Sequence, residues 1–191
     1  MISSEVVLEG FHGTSVEGAG SIVNSTYQVV PSPEDWLGAG VYFFVDGISC
    51  PRENAAEWAR NKFHVGFAVV RSLISVPRDK VLDLTSAAGL SKYNNARIEF
   101  VEQNKLELFG RRNLALKKRR DIRLDDRIVT EAVLAQLGAK VLIHNVYIKN
   151  AIQRELILES SYPNVTVCSV SDLSCIKCSE ILDSKSIKVG C

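Results

Sequence analysis

Gly38 and Gly40 lead straight into the apolar run Val41-Tyr42-Phe43-Phe44, and this junction limits what the chain can become. The run reads as a short strand, in which alternation sends Tyr42 and Phe44 to one face and Val41 and Phe43 to the other. The glycines precede the strand, whereas a dinucleotide crevice needs a strand that runs into Gly-x-Gly-x-x-Gly. The spacing fails as well. The third position is Val23 after Gly18 and Gly20, and Phe43 after Gly38 and Gly40.

Upstream, Val6 to Phe11 reads as a strand that delivers His12, and Ser15 as the N-cap of a helix over Val16 to Val23. An imidazole, Gly13 and the hydroxyls of Thr14 and Ser15 thus gather at a helix N-terminus. Free backbone N–H groups there favour anions and hydrogen-bond acceptors such as ribose hydroxyls. Taken alone, His12 also fits a strand-end histidine that satisfies one local hydrogen bond.

Downstream, Pro31, Ser32 and Pro33 mark a loop, and a helix is expected over Asn54 to Phe63 with Ala55, Ala56, Trp58 and Ala59 on its apolar side. Strands follow at Phe67 to Val76 and Val81 to Leu84, broken at Pro77-Arg78-Asp79-Lys80. Three-and-four spacing marks a helical insertion over about 90–137. Lys140 to His144 and Val165 to Val170 read as later strands, with Gln153-Arg154-Glu155-Leu156-Ile157-Leu158 between them as another apolar, alternating one. A length of 191 residues with 46% hydrophobic content suits a single domain, 1–191. Many short strands with grouped helices predict an α+β fold of two packed, mainly antiparallel sheets with flanking helices. The tail 172–191 has no functional reading.

A formal net charge of +1 gives no global pull toward nucleic acid or membranes. The sequence opens on no basic leader with an apolar core, and it has no apolar run of about 18 residues, so a cytoplasmic protein without membrane contact is expected. Five cysteines, four of them in the last quarter, do not read as a disulfide framework. Cys175-Ile176-Lys177-Cys178 supplies only half of a zinc site, and no metal is expected.

His12-Gly13-Thr14 and Gly38-Ala39-Gly40-Val41-Tyr42-Phe43 resemble the first two signatures of the ADP-ribosyltransferases of the poly(ADP-ribose)-polymerase-like, diphtheria-toxin-type superfamily, whose triad is His, Tyr and Glu. The resemblance spans roughly residues 10 to 170, apart from the helical insertion. It implies that family's fold and NAD as substrate, with His12 on the adenosine-side ribose and Gly13 on the carboxamide, Thr14 and Ser15 completing the cradle. Tyr42 and Trp58 would sandwich the nicotinamide. Where the family usually carries a serine that bonds the carboxamide, this chain has Ala55. The third member opens a later strand in the family, and Glu155 is the residue expected to fill it. Each residue also has a plainer reading: Trp58 as a core side chain, Glu155 as an exposed strand glutamate.

The implied reaction is cleavage of the nicotinamide–ribose bond of NAD with transfer of ADP-ribose to a macromolecular acceptor. A carboxylate at the ribose would stabilise the oxocarbenium-like centre, as in glycoside chemistry. The small size resembles intracellular bacterial or phage toxins, which implies an antitoxin or inhibitor protein as a further partner. Gln153 would lie on the same strand face as Glu155. In the related clostridial-toxin-type branch, glutamine there goes with asparagine or nucleobase acceptors. The basic run that includes Lys117, Lys118, Arg119 and Arg120 reads either as a solvated helix face or as a phosphate-contacting surface for an RNA or DNA acceptor. An NAD glycohydrolase and a non-catalytic NAD- or ADP-ribose-binding module are the alternatives.

Overall fold

A computed structural model describes residues 4–32, 35–63, 66–112 and 119–182 of the chain, which folds as α+β. Strands β1 (Glu5–Ser15) and β3 (Phe67–Pro77) pair antiparallel along their whole length, from Glu5 with Pro77 to Ser15 with Phe67. On the far side of β3 lies β7 (Ile176–Ile181), so part of the tail that carried no reading is an edge strand. On the far side of β1 lies β2 (Val41–Phe44), in register with it at Phe11–Phe44 alone. The sheet then continues through β6 (Val165–Val170), β5 (Val141–Val146) and β4 (Val81–Asp83), of which only the β4–β5 pairing is parallel.

The order is β4-β5-β6-β2-β1-β3-β7, one mixed seven-stranded sheet in place of the two packed sheets expected. Its continuity hangs on the Phe11–Phe44 pair. After Phe44 the chain follows β6 instead of β1, because Val45 N–H donates to the Thr166 carbonyl at 3.1 Å. Strand count and alternation carry no information on such a shared edge.

Helices cover both faces. Phe11, Phe44, Val69, Leu142 and Val167 form one apolar layer with Ala55 and Ala56 of α2 (Pro51–Lys62). Phe43, Val70, Ile74, Val141 and Cys168 form the other with Ala19 of α1 (Val16–Asn24). Ser15 caps α1, its Oγ accepting from Gly18 N–H at 3.0 Å, and Pro51 opens α2 three residues before the expected start, at a position where its missing N–H costs nothing. The insertion is helical as expected, comprising α3 (Ala87–Gln103), α4 (Lys105–Arg112) and α5 (Arg119–Leu137). Ala96 of α3 packs on Val129 and Val133 of α5, and the Tyr93 and Thr130 hydroxyls bond at 2.9 Å.

Residues Gln153 to Leu158 do not form a strand. Asn150 Oδ1 accepts from Gln153 N–H at 2.8 Å while the Gln153 side chain accepts from Asn150 N–H at 3.0 Å, a capping box that starts α6 (Ala151–Glu155). The chain leaves α6 through Ile157 at φ +54°, with Leu156, Ile157 and Leu158 all exposed. Local capping outweighs the alternating pattern, and Gln153 and Glu155 share no strand face. Among the described residues no helix is long and apolar enough to cross a membrane.

Candidate functional site

His12 sits at the narrow join between the two halves of the sheet. Its Nδ1 lies 2.8 Å from the Tyr42 carbonyl, which only accepts, so Nδ1 carries the proton and a neutral ring presents Nε2 as its acceptor. Tyr27 and Phe43 meet the imidazole edge-on at 5.5 and 5.9 Å between ring centroids. Burial lowers the His12 pKa from its ordinary 6.5, an effect that the bond to Tyr42 opposes and the charge of Lys62 reinforces. Tyr27 is buried as well, its hydroxyl 2.8 Å from Ser72 Oγ and its pKa pushed up to about 12.

Burial also lowers the pKa of half-buried His144. A histidine whose folded pKa lies below its unfolded value takes up its proton first in the unfolded chain. Stability therefore rises with pH through that interval and is lost as pH falls below about 6.5. The thermal midpoint should drop between about pH 7.5 and pH 5, and drop less in His12→Asn. Asp172, held near 2 chiefly by Lys140, exerts its effect below roughly pH 4 and stays out of this window. Equal losses in the wild type and the variant would show that His12 is not the group titrating.

Tyr42 points to the other face of the sheet, as alternation requires. Its hydroxyl donates to the Gly38 carbonyl at 2.9 Å and accepts from Leu37 N–H at 3.0 Å, so the ring braces the turn in which Gly38 adopts φ +84°. Two residues of α5 that sequence reasoning missed hold this turn from outside. Glu131 Oε1 accepts from Ala39 N–H at 2.9 Å and from Arg127 Nε at 2.7 Å, and Arg127 Nη1 donates to the Ser32 carbonyl at 3.1 Å. Their i,i+4 spacing was a signal for the ion pair but not for its target.

Gly13 lies directly beneath α2. A Cβ there would fall 2.2 Å from the Ala55 carbonyl oxygen and 2.8 Å from the Ala59 Cβ, so the helix backbone fills the place of a side chain. Thr14 and Ser15 follow at the head of α1, the Ser15 hydroxyl being taken up by its cap bond.

Trp58 faces a hollow of about 190 Å3 between α2 and the start of β6. Phe44 and Trp58 supply its aromatic surface, Asn54, Asn150 and Asn164 its amides, and Glu57 and Lys149 its charges. Lys62 Nζ stands 4.6 Å from the centroid of the Trp58 ring. Asn164, another residue the sequence reading missed, precedes β6, the strand that pairs with β2. Its Oδ1 accepts from Ile148 N–H and its Nδ2 donates to the Ile148 carbonyl, both at 2.9 Å. The residue that opens this strand beside β2 is therefore an amide and not a carboxylate.

Glu155 is exposed at the end of α6. This helix reaches the hollow through its cap residue Asn150, and Ala151 N–H donates to Glu57 Oε1 at 3.0 Å. The structure thus brings the His12 ring and the Tyr42 backbone together, and Trp58 and the head of α6 together. Glu155 has no contact with His12 or Tyr42 among the bonds described.

In the basic run, Lys117 and Lys118 lie outside the described residues, and Arg119 and Arg120 belong to the first turn of α5. Cys168 and Cys175 are buried thiols and Cys178 an exposed one, whereas Cys50 is disulfide-bonded. Among the described residues no three His, Cys, Asp or Glu side chains group to hold a metal ion. Compared with family models, curated proteins and solved structures, the chain matches none.

Proposed function

We propose that the chain is an NAD-dependent mono-ADP-ribosyltransferase with an ADP-ribosyltransferase-like fold. The observation that carries this reading is the hollow beside Trp58. At about 190 Å3 it is smaller than the roughly 300–1,000 Å3 of sites for drug-sized ligands, a size for one ring of a larger molecule. Two aromatic residues line it with three amides, and an amide both donates to and accepts from a planar carboxamide such as that of nicotinamide. His12 lies on the strand that passes beneath the same helix, with its ring on the opposite face beside Tyr27 and Phe43 and its Nε2 as the acceptor proposed for a ribose hydroxyl.

In the reaction the bond from ribose C1′ to the nicotinamide nitrogen breaks. The electron pair leaves with the ring and neutralises its positive charge, and an acceptor nucleophile bonds to C1′ and gives up its proton. Glu155 is the carboxylate proposed to face the developing ribose cation, from the helix whose cap residue lines the hollow. The acceptor is proposed to be a macromolecule, with the basic run Lys117, Lys118, Arg119 and Arg120 as its phosphate contact if it is RNA or DNA. An inhibitor protein and a cytoplasmic setting belong to the same reading.

Two observations favour the second reading, a module that binds NAD or ADP-ribose without cleaving it. Glu155 is exposed, and Asn164 holds the head of β6. Incubation with NAD labelled on the adenylate, with cell lysate present, separates the readings. Label on protein or nucleic acid is the expected result. Free ADP-ribose alone would make the protein a glycohydrolase, and intact NAD that quenches tryptophan fluorescence would make it the binding module.

A further inference from the structure

A second hollow lies away from His12 and Trp58, in the wedge where β2 parts from β1. It measures about 430 Å3. Val7, Leu8 and Glu9 of β1 form one wall, and the segment from Val45 to Ile48 that leaves β2 forms the other. Ile143, Asn145 and Thr166 line it across β5 and β6, with Asp83 and Thr85 at its end.

The opposite wall is firmly held. Val45 N–H donates to the Thr166 carbonyl and Ile48 N–H to Thr166 Oγ1, both at 3.1 Å, and a Cβ on Gly47 would fall 2.0 Å from that same hydroxyl. The wedge is therefore built into the fold by a segment that clings to β6.

Three observations coincide here. All eleven residues of β1 pair with β3, but Phe11 alone pairs with β2. Along Glu5 to Gly10 the second edge of β1 carries no strand among the described residues, and this is the stretch that walls the trough. Val7 and Ile48 stand on its two sides with 59% and 46% of their surface exposed. Glu9, Asp46 and Asp83 line it, and its lining among the described residues holds no lysine, arginine or histidine, while Arg71 reaches Glu9 from β3.

An open strand edge offers backbone N–H and carbonyl groups to an added strand, alternate pockets select its side chains, and carboxylates select for cations. We propose that the trough takes an extended basic segment of another protein, which adds as a strand along the open edge of β1. Its apolar side chains would lie over Leu8, Val45 and Ile143, and its lysine or arginine groups would meet Asp46, Asp83 and Glu9. This site needs neither NAD nor the ring hollow beside Trp58.

The test is an amide NMR titration of the full chain with an acetylated Val-Lys-Val-Lys-Val amide. The amides of Val7, Glu9 and Asp46 to Ile48 should shift and exchange more slowly with solvent. The double variant Asp46→Asn with Asp83→Asn should bind at least about tenfold more weakly at low salt, with unchanged amide positions elsewhere as the check on its fold. The same peptide methylated on alternate backbone nitrogens keeps its charge but loses its pairing groups, and should not bind. Equal binding of the methylated peptide, or of one with glutamate for lysine, would overturn the proposal. So would shifts confined to other surfaces, or shifts at Val7 and Glu9 that follow protein concentration without peptide and so reveal a second copy on this edge.

Discussion

Glu155→Gln is expected to lower nicotinamide release from NAD at least about a hundredfold, a loss of roughly 3 kcal/mol in transition-state stabilisation, with KM little changed. The substitution removes the charge proposed to face the ribose cation and keeps the shape of the side chain. Because Glu155 is exposed at the end of a five-residue helix, the fold should not register the change, and the thermal midpoint should stay with the wild type. Glu57→Gln is the informative companion. Among the described residues lining the ring hollow Glu57 is the one carboxylate, and its Oε1 accepts from Ala151 N–H, a role the amide oxygen of glutamine retains. That variant should turn over within a fewfold of wild type. If the Glu57 variant were dead and the Glu155 variant active, the carboxylate at the ribose would be the one on α2. If both turned over normally, neither carboxylate would be the one at the ribose.

What could be read from the sequence was what is decided locally. Ser15 caps the helix it was expected to cap, because a cap is settled by three consecutive residues. Gly38 does lie at a turn just before β2, in a left-handed conformation that glycine adopts without strain. The pattern failed where two local signals competed. Around Gln153 an alternating apolar run met an Asn150–Gln153 capping box, and the box, closed within four residues, prevailed.

Long-range partners were invisible. Nothing near Asn164 announces that the strand it precedes will lie beside β2, and nothing near Arg127 or Glu131 announces that they brace the Gly38 turn some ninety residues upstream. Strand β7 was missed for the same reason. Its exposed, weakly alternating residues become a strand by pairing with β3.

Gly13→Ala should cost about 3 kcal/mol of stability, a fall in thermal midpoint of roughly 6–12 °C for a chain of this size. The added methyl would stand 2.2 Å from the Ala55 carbonyl oxygen and 2.8 Å from the Ala59 Cβ. Neither is the end of a flexible side chain, so relief requires α2 to lift from β1. Lifting it would loosen the contacts of Ala55, Ala56 and Ala59, which are now almost wholly buried. Gly20→Ala gives the contrast. Gly20 lies inside α1 with nothing within 4 Å of the added atom, and the same methyl there should stabilise the protein by about 0.5–1 kcal/mol by restricting the unfolded chain. Urea denaturation of both variants, with m-values matching the wild type, measures the pair. Equal stability of Gly13→Ala and wild type would mean that the helix does not need this glycine. Its lack of a side chain would then serve the approach of a ligand to the backbone between His12 and Thr14.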